Sequence, residues 1–430
     1  MITWERRRHL SYGWVIVAVV CLSNAVLGLY VTGTSLFLVA LIGEFDWSHS
    51  ETSLAFSISL GTWALTSILA GMLTDRFGAR VVLPLGAAVL ASGLLLSSQL
   101  ETLGQFYLYA VLTGLGHVML GFTPATTLLA RWFTERLGTA IGIVWMGRGL
   151  GTLFLTPLLQ VVILTHGWRW AFAIEGALVA LLIPLLAALL RNPPRQRRRA
   201  ATTAAPSESN RHSARVQIVD ATWANREWTL DAALRTKRFW YLLGMYCTLG
   251  ASAFMLQVHQ AAVLVESGFD PLFVASVIGL SGLVLVVGPI PHGLLSDRLG
   301  RELALVISTL LRVLGIVALM QASPVSGALL PFLYAVVYNL GRSGLPVNAG
   351  GTVADLFQGR HLGTILGALE FGSGIGGAVG TWVAGWAFDV TGSYQAPLLI
   401  VLASTAAPAL FIWLIAPRTV RRVVAADSVP

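Results

Sequence analysis

Arg148, Arg312, Arg342 and Glu370 stand inside long apolar runs. An ionisable group is costly there and marks function by default. A guanidinium is permanently charged and offers a planar fork of donors that matches a carboxylate. Arg148 and Arg342 would therefore hold an organic anion. At about 1.5 Å of rise per residue, Arg148 lies about 15 Å from the inner end of its run, Arg342 about 20 Å, Glu370 about 12 Å and Arg312 about 16 Å. The competing reading of each arginine is structural, as the partner of a nearby acid or a backbone carbonyl. Glu370 has two readings as well: it pairs with Arg342 or Arg312 and holds an empty cavity together, or it carries a coupling proton. Its basic neighbours favour the first. His117 and His259 can titrate or donate to a carboxylate, although a lone histidine in an apolar run is more often a satisfied polar residue. His292, near the inner end of its run, reads as gate structure. Tyr30, Trp63, Trp145, Tyr334, Tyr338 and Phe371 would form the apolar wall with few polar groups that suits a small ligand. Most such rings simply pack or sit at the membrane interface.

The elements that position these residues follow from composition. Of 430 residues, 56% are hydrophobic and 11% charged. A water-soluble domain carries about 25% charged residues, so this chain cannot cover a water-facing surface. Backbone amides in lipid must bond within their own segment, which leaves helices or closed barrels. Long unbroken apolar runs exclude the alternating barrel pattern. The fold class is an all-α polytopic membrane protein. Twelve spans are predicted, at residues 12–42, 51–75, 80–98, 104–130, 138–164, 168–190, 239–265, 272–296, 302–321, 325–354, 362–388 and 394–416.

The formal charge of +8 does not indicate nucleic acid, because its placement follows the membrane. Arg6, Arg7, Arg8, Arg76, Arg80, Arg131, Arg136, Arg298, Arg301, Arg360, Arg418, Arg421 and Arg422 share one side, while Glu44, Asp46, Glu101, Glu266, Asp270 and Asp389 share the other. Arg169 is the clear basic exception. This asymmetry puts both termini in the cytoplasm, and the basic segments favour anionic lipid headgroups. The expected membrane is a bacterial inner (plasma) membrane. Cys21 and Cys247 both fall inside spans, so a disulfide scaffold is not expected. The start of the chain, MITWERRRHL, reads as the lead-in to an uncleaved first helix rather than a removed signal.

A short phrase repeats. GMLTDRFGAR at 71–80 returns as GLLSDRLGR at 293–301. Gly71, Asp75, Arg76 and Gly78 recur as Gly293, Asp297, Arg298 and Gly300, and Arg80 closes the first copy. Cys21 and Cys247, and Trp14 and Trp240, recur at a similar shift. Each phrase follows the second span of its half on the same side, which makes two parallel six-helix repeats related by an axis along the membrane normal. Gly71 and Gly293 would allow close helix approach, Gly78 and Gly300 would permit the turn, and the carboxylates would accept bonds from a helix N-terminus across the interface, locking an inner gate. The domains are a first bundle at 1–190, a linker at 191–238, a second bundle at 239–417 and a tail at 418–430. The linker carries eleven Arg/Lys against four Asp/Glu. Its first part has a disordered composition. Its second part, TWANREWTLDAALRTKRF, reads as a helix lying on the inner leaflet.

The phrase G-x-L-x-D-R-x-G-x-R resembles the signature between the second and third helices of the major facilitator superfamily. YGW at 12–14, EFDWSHSETSLAFSISL at 44–60, RWFTERLGTAIGIVWMGRGLG at 131–151, GWRWAF at 167–172 and WTLDAALRTKRFW at 228–240 narrow it. Together they resemble the monocarboxylate transporter and oxalate/formate antiporter group, most closely through Trp132, Phe133, Arg136, Ala140, Gly142, Gly147 and Gly151. The resemblance implies a cavity lined by the first, fourth, seventh and tenth spans, helped by the second, fifth, eighth and eleventh. It then implies that Arg148 and Arg342 face each other from opposite halves, and that Arg312 is peripheral and structural. The chain departs from the group where anions bind. It has Ser11 and Tyr12 in place of an acid at the first span, its one lysine, Lys237, lies in the linker, and Gly288 and Pro289 stand where the eighth span usually has an arginine.

The expected function is secondary active transport of a small organic anion, a mono- or dicarboxylate, by alternating access with proton symport or anion exchange. Efflux of amphipathic drugs or metabolites is the alternative. An enzyme or receptor is the minor one, since no His-Glu-x-x-His, Gly-x-Ser-x-Gly or phosphate loop occurs. Gly372, Gly374 and Gly377 match G-x-G-x-x-G, but inside a predicted helix with no preceding strand; that reads as helix packing. No cofactor, metal or catalytic residue is expected, and a monomer is the default.

Overall fold

In the computed structural model, residues 2–133, 137–191, 215–224, 226–357 and 361–424 are described. The first half holds spans at Ile2–Phe45, His49–Phe77, Ala79–Ser97, Leu103–Leu120 continued as Phe122–Trp132, Leu137–His166 and Trp168–Leu189. The second holds Lys237–Glu266, Pro271–Val287 continued as Pro289–Leu299, Arg301–Met320, Leu329–Ser343 continued as Leu345–Leu356, Leu362–Thr391 and Gln395–Ile415. They are called the first to twelfth spans below. Ten helices among the described residues are long and apolar enough to cross a membrane. The eighth and tenth fall short of that measure because each is broken near its middle. Pro289 cannot donate to the helix ladder and interrupts the eighth after Gly288. The tenth breaks at Gly344, with a proline in the first turn of its second piece.

Sequence sets the helix ends. Ser48 accepts from the Glu51 amide while the Glu51 side chain accepts from the Ser48 amide, closing a capping box at the second span. Thr102 and Gln105 do the same for the fourth. The two copies of the charged phrase end their helices in the same way: Gly78 has φ 81° and Gly300 has φ 88°. Both lie in the left-handed region that a Cβ disfavours.

The halves repeat each other in their packing. In the first half the first span packs on the fifth, the third on the fourth and sixth, and the second on the fourth. In the second half the seventh packs on the eleventh, the ninth on the tenth and twelfth, and the eighth on the tenth. Each pairing recurs six spans later. The contacts between halves obey the same rule: the second span lies on the eleventh, the fifth on the eighth, and the first on the seventh. These are the contacts that two parallel repeats exchange about an axis along the membrane normal. Small residues let the backbones touch, as association in lipid requires. A Cβ on Gly147 or Gly151 would run into the carbonyls of Cys21 or Ala25 in the first span. In the second half Gly376 and Gly250 meet the carbonyls of Cys247 and Ser373. Gly372, Gly374 and Gly377 lie in the unbroken eleventh helix, against Leu243, Ala64 and Phe254.

Beyond the sixth span the described residues of the segment form short elements. Arg215–Ile218 pairs antiparallel with Arg421–Val424, and short helices follow at Ala221–Ala224 and Leu230–Leu234. Asp220 accepts from the Thr222 hydroxyl (2.6 Å) and the Trp223 amide (3.0 Å), which holds its carboxyl below the usual carboxylate range. Trp228 is 1% exposed, with its ring 4.5 Å from Trp223 and 5.0 Å from Phe357. The Trp223 indole N–H donates to the Leu356 carbonyl. These tryptophans thus dock on the second half.

Candidate functional site

Arg342 ends the first piece of the tenth span, at the middle of that span, and Arg148 lies within about one turn of the middle of the fifth. Both are half-buried. The two lie within electrostatic reach of each other, although they belong to opposite halves. Arg342 Nη1 donates to Gln257 Oε1 of the seventh span at 2.9 Å. Gln257 Nε2 reaches the Val31 carbonyl of the first span at 3.4 Å. Gln260, one turn on, accepts from the Tyr334 hydroxyl at 2.8 Å. Arg148 lies over the Trp145 ring at 5.7 Å and within electrostatic reach of His117. The His117 ring sits between Tyr30 (5.3 Å, edge-on) and Trp63 (6.2 Å). Trp63 in turn meets Phe254 of the other half at 6.2 Å. Among the described residues neither Arg148 nor Arg342 is paired with a carboxylate. Glu370, on the eleventh span near Tyr246, is exposed and forms no ion pair with a described residue.

The structure brings Arg148, Arg342, His117, Tyr30 and Trp145 into one region and leaves two other predicted residues outside it. His259 is buried with both ring nitrogens engaged, Nδ1 with the Tyr394 hydroxyl (3.2 Å) and Nε2 with the Thr381 carbonyl (3.0 Å). Tyr338 packs inward between the ninth and tenth spans. Its ring lies under Arg312 at 5.6 Å and stacks on Tyr334 at 5.5 Å. Arg312 is 0% exposed and donates to Ser252 Oγ at 2.6 Å. His292 joins the Leu340 carbonyl (2.8 Å) and Ser308 (3.2 Å), and so braces the break in the tenth span. Gln257 and Gln260 are missing from the sequence reading. As uncharged amides they carry no cost that distinguishes them from helix-packing polar residues. Glu175 of the sixth span is missing too, although a lone acid in WRWAFAIEGALVALL meets the same rule that picked out Glu370.

At the repeated phrase, Arg76, Arg80 and Arg298 are exposed. Gly71 faces open space, with nothing within 4 Å of where a Cβ would stand. The side chains of Asp75, Gly293 and Asp297 lie outside the described ones. The closure between halves sits at the opposite end. Asp389 of the eleventh span accepts from the backbone amides of His49 (2.9 Å) and Ser50 (2.8 Å), at the start of the second span. From there the contact follows Gly385 on Ser53, Ala378 near Gly61 and Gly374 on Ala64. Beyond Ala64 the second span exposes Leu65, Ile68, Leu69 and Met72.

The family model described as Major Facilitator Superfamily matches residues 19–342 and 261–428. The chain belongs to the Major Facilitator Superfamily. Its relatives include Monocarboxylate transporter 13 of Rattus norvegicus, 25% identical over 91% of this chain and 86% of that protein. Monocarboxylate transporter 12 of the same species is 26% identical over 91% of this chain and 82% of its own length. Two solved structures share the Major Facilitator fold at 16% identity. The nucleoside transporter NupG has a TM-score of 0.71 over 94% of this chain and 98% of its own. The D-xylose-proton symporter has a TM-score of 0.72 over 94% and 97%. This member of the superfamily is a multi-pass membrane transporter and not an enzyme.

Proposed function

We propose that the chain carries a small organic anion, a mono- or dicarboxylate, across its membrane by alternating access. The observation that carries this reading is that two arginines from opposite halves, neither on a described carboxylate, are tied to neighbouring points of the first span: the Arg148 carbonyl packs at Gly28, and Gln257, which holds Arg342, reaches Val31. Like charges within reach of each other repel, more strongly as water is excluded. A carboxylate between them relieves that repulsion and receives two charge-assisted hydrogen-bonding forks. Because each arginine rides on a different half, the anion joins the halves only while it is bound. Gln257 supports the clamp by fixing one edge of Arg342, which leaves the remaining donors for a ligand. The eighth span has no arginine where the resemblance implies one. There Gly288 packs directly on Ser343, the neighbour of Arg342, so the tenth span supplies the cation close to the same point. The names of the relatives, monocarboxylate transporters, agree with such a cargo.

The cycle is proton symport or anion exchange. With the arginine-rich side taken as cytoplasmic, both termini lie inside and the halves are closed toward the exterior. We place the chain in a bacterial inner membrane as a working monomer. The competing reading is efflux of an amphipathic compound, favoured by the exposed Trp145 and Phe371 rings. Uptake of labelled carboxylates into proteoliposomes separates the two. Arg148→Gln and Arg342→Gln should each abolish carboxylate uptake while the protein still folds and inserts. Normal uptake by both variants would end the clamp.

A further inference from the structure

Glu175 lies seven residues into the sixth span, fully buried, and neither carboxyl oxygen has a hydrogen-bond partner. It faces a cavity inside the first half, walled by residues that include Ser97, Phe106 and Phe172. The same cavity is lined by a run of hydroxyls. Tyr30 Oη shares a hydrogen bond with Ser59 Oγ at 3.0 Å, and Ser59 Oγ lies 3.3 Å from Thr113 Oγ1. The Tyr30 ring then meets His117, which is within electrostatic reach of Arg148. The cavity thus gathers a buried acid and a chain of hydroxyls, and Tyr30 on its wall packs on His117, which is in turn within electrostatic reach of Arg148.

The groups around Glu175 leave it without a counter-charge. The first span offers Tyr30, and the fourth offers His117 behind it. The second and third offer only the hydroxyls of Ser59 and Ser97, and the fifth offers Leu159, beside the carboxyl at Gly33. Arg169, on the sixth span itself, is engaged by Glu44 (3.1 Å) and the Leu100 carbonyl (3.3 Å). A charge buried without partner or water is disfavoured, so the neutral acid is the form that suits this wall.

We propose that Glu175 is a proton-binding site and that its proton travels with the anion held at Arg148 and Arg342. This extends the carboxylate-carrier reading above. An O–H bond forms on the Glu175 carboxylate when the proton enters and breaks when it leaves through the hydroxyls. One proton with one monovalent carboxylate moves no net charge.

Two measurements test it. Infrared difference spectra of the purified protein in H2O and D2O should show a protonated-carboxyl carbonyl band that shifts on exchange and is missing in Glu175→Gln. In proteoliposomes given a pH gradient and L-lactate as probe, wild type should accumulate lactate. Glu175→Gln should reach only equal concentrations inside and out, yet still exchange lactate for lactate. Accumulation by Glu175→Gln to the wild-type ratio overturns the proposal, as does a carboxyl band that is absent in wild type or unchanged by the substitution. If wild type moves neither lactate nor any other labelled carboxylate, the anion reading fails by itself, and the band alone decides whether Glu175 binds a proton.

Discussion

Asp389 on the eleventh span caps the second span at His49, with one carboxylate oxygen on the His49 amide at 2.9 Å and the other on the Ser50 amide at 2.8 Å. Its side chain also lies 3.6 Å from His49 Nδ1. A carboxylate at a helix N-terminus meets unsatisfied donors and the positive end of the helix dipole. Here cap and helix belong to different halves, so the bond exists only while this end is closed.

Replacing Asp389 with alanine should therefore shift the balance of conformations rather than unfold the protein. A cap contributes about 0.5–2 kcal/mol, so the closed arrangement should lose roughly twofold to thirtyfold in relative population. Spin labels at Glu101→Cys and Ser393→Cys, with Cys21 and Cys247 changed to serine, would report it. The distance distribution should broaden toward longer separations in Asp389→Ala. An unchanged distribution would show that the cap does not hold this end.

Gln257→Leu should weaken carboxylate binding without removing either arginine. It deletes the bond that fixes Arg342 Nη1 and leaves that guanidinium free to turn. A hydrogen bond to a charged group contributes about 1.5–3 kcal/mol, so the concentration for half-maximal uptake should rise roughly tenfold or more. The thermal unfolding midpoint should move little, and a large drop would assign Gln257 to packing instead.

Two glycines of the fifth span should respond in opposite ways to alanine. At Gly151 the new methyl would strike the Ala25 carbonyl, whereas at Gly142 nothing stands within 4 Å. Overpacking costs about 1–3 kcal/mol, and removing a glycine from an open helix position returns about 0.5–1 kcal/mol. Thermal-shift assays in detergent should show Gly151→Ala clearly less stable and Gly142→Ala equal to or slightly above wild type.

Trp228→Ala should loosen the segment ahead of the seventh span. Its ring is buried against Trp223 and Phe357, with Arg226 over it at 4.6 Å. Truncating a buried tryptophan costs about 3–5 kcal/mol. Trypsin should then cut at Arg226 or Arg235 markedly faster than in wild type, and equal cutting would mean that the ring does not anchor the segment.

The spans, their pairing into halves and the turns at Gly78 and Gly300 were legible because each rests on a local signal: an apolar run, a repeated phrase, a residue able to take positive φ. The breaks at Gly288 and Gly344 fall inside runs predicted as single spans, 272–296 and 325–354, although Pro289 and Pro346 stand just beyond them. The closure at Asp389 was not, because it depends on which helix end arrives opposite a carboxylate 340 positions away in sequence. Arg148 and Arg342 stood out because a charge in lipid is rare. Gln257 did not, because an amide in a helix looks the same whether it orients an arginine or simply packs. His259 stood out for its type, yet its nitrogens serve Tyr394 and Thr381. Residue type alone cannot separate those two cases.

The pairing of Arg215–Ile218 with Arg421–Val424 bears on how the gene can be divided. A cut placed before residue 215 gives a second product that keeps both strands and the tryptophans docked on the second half, so two co-expressed fragments can reassemble as whole units. A cut after residue 218 strands one β-segment on the wrong fragment and leaves the C-terminal strand with no mate. Fragment complementation should therefore succeed on one side of that short hairpin partner and falter on the other.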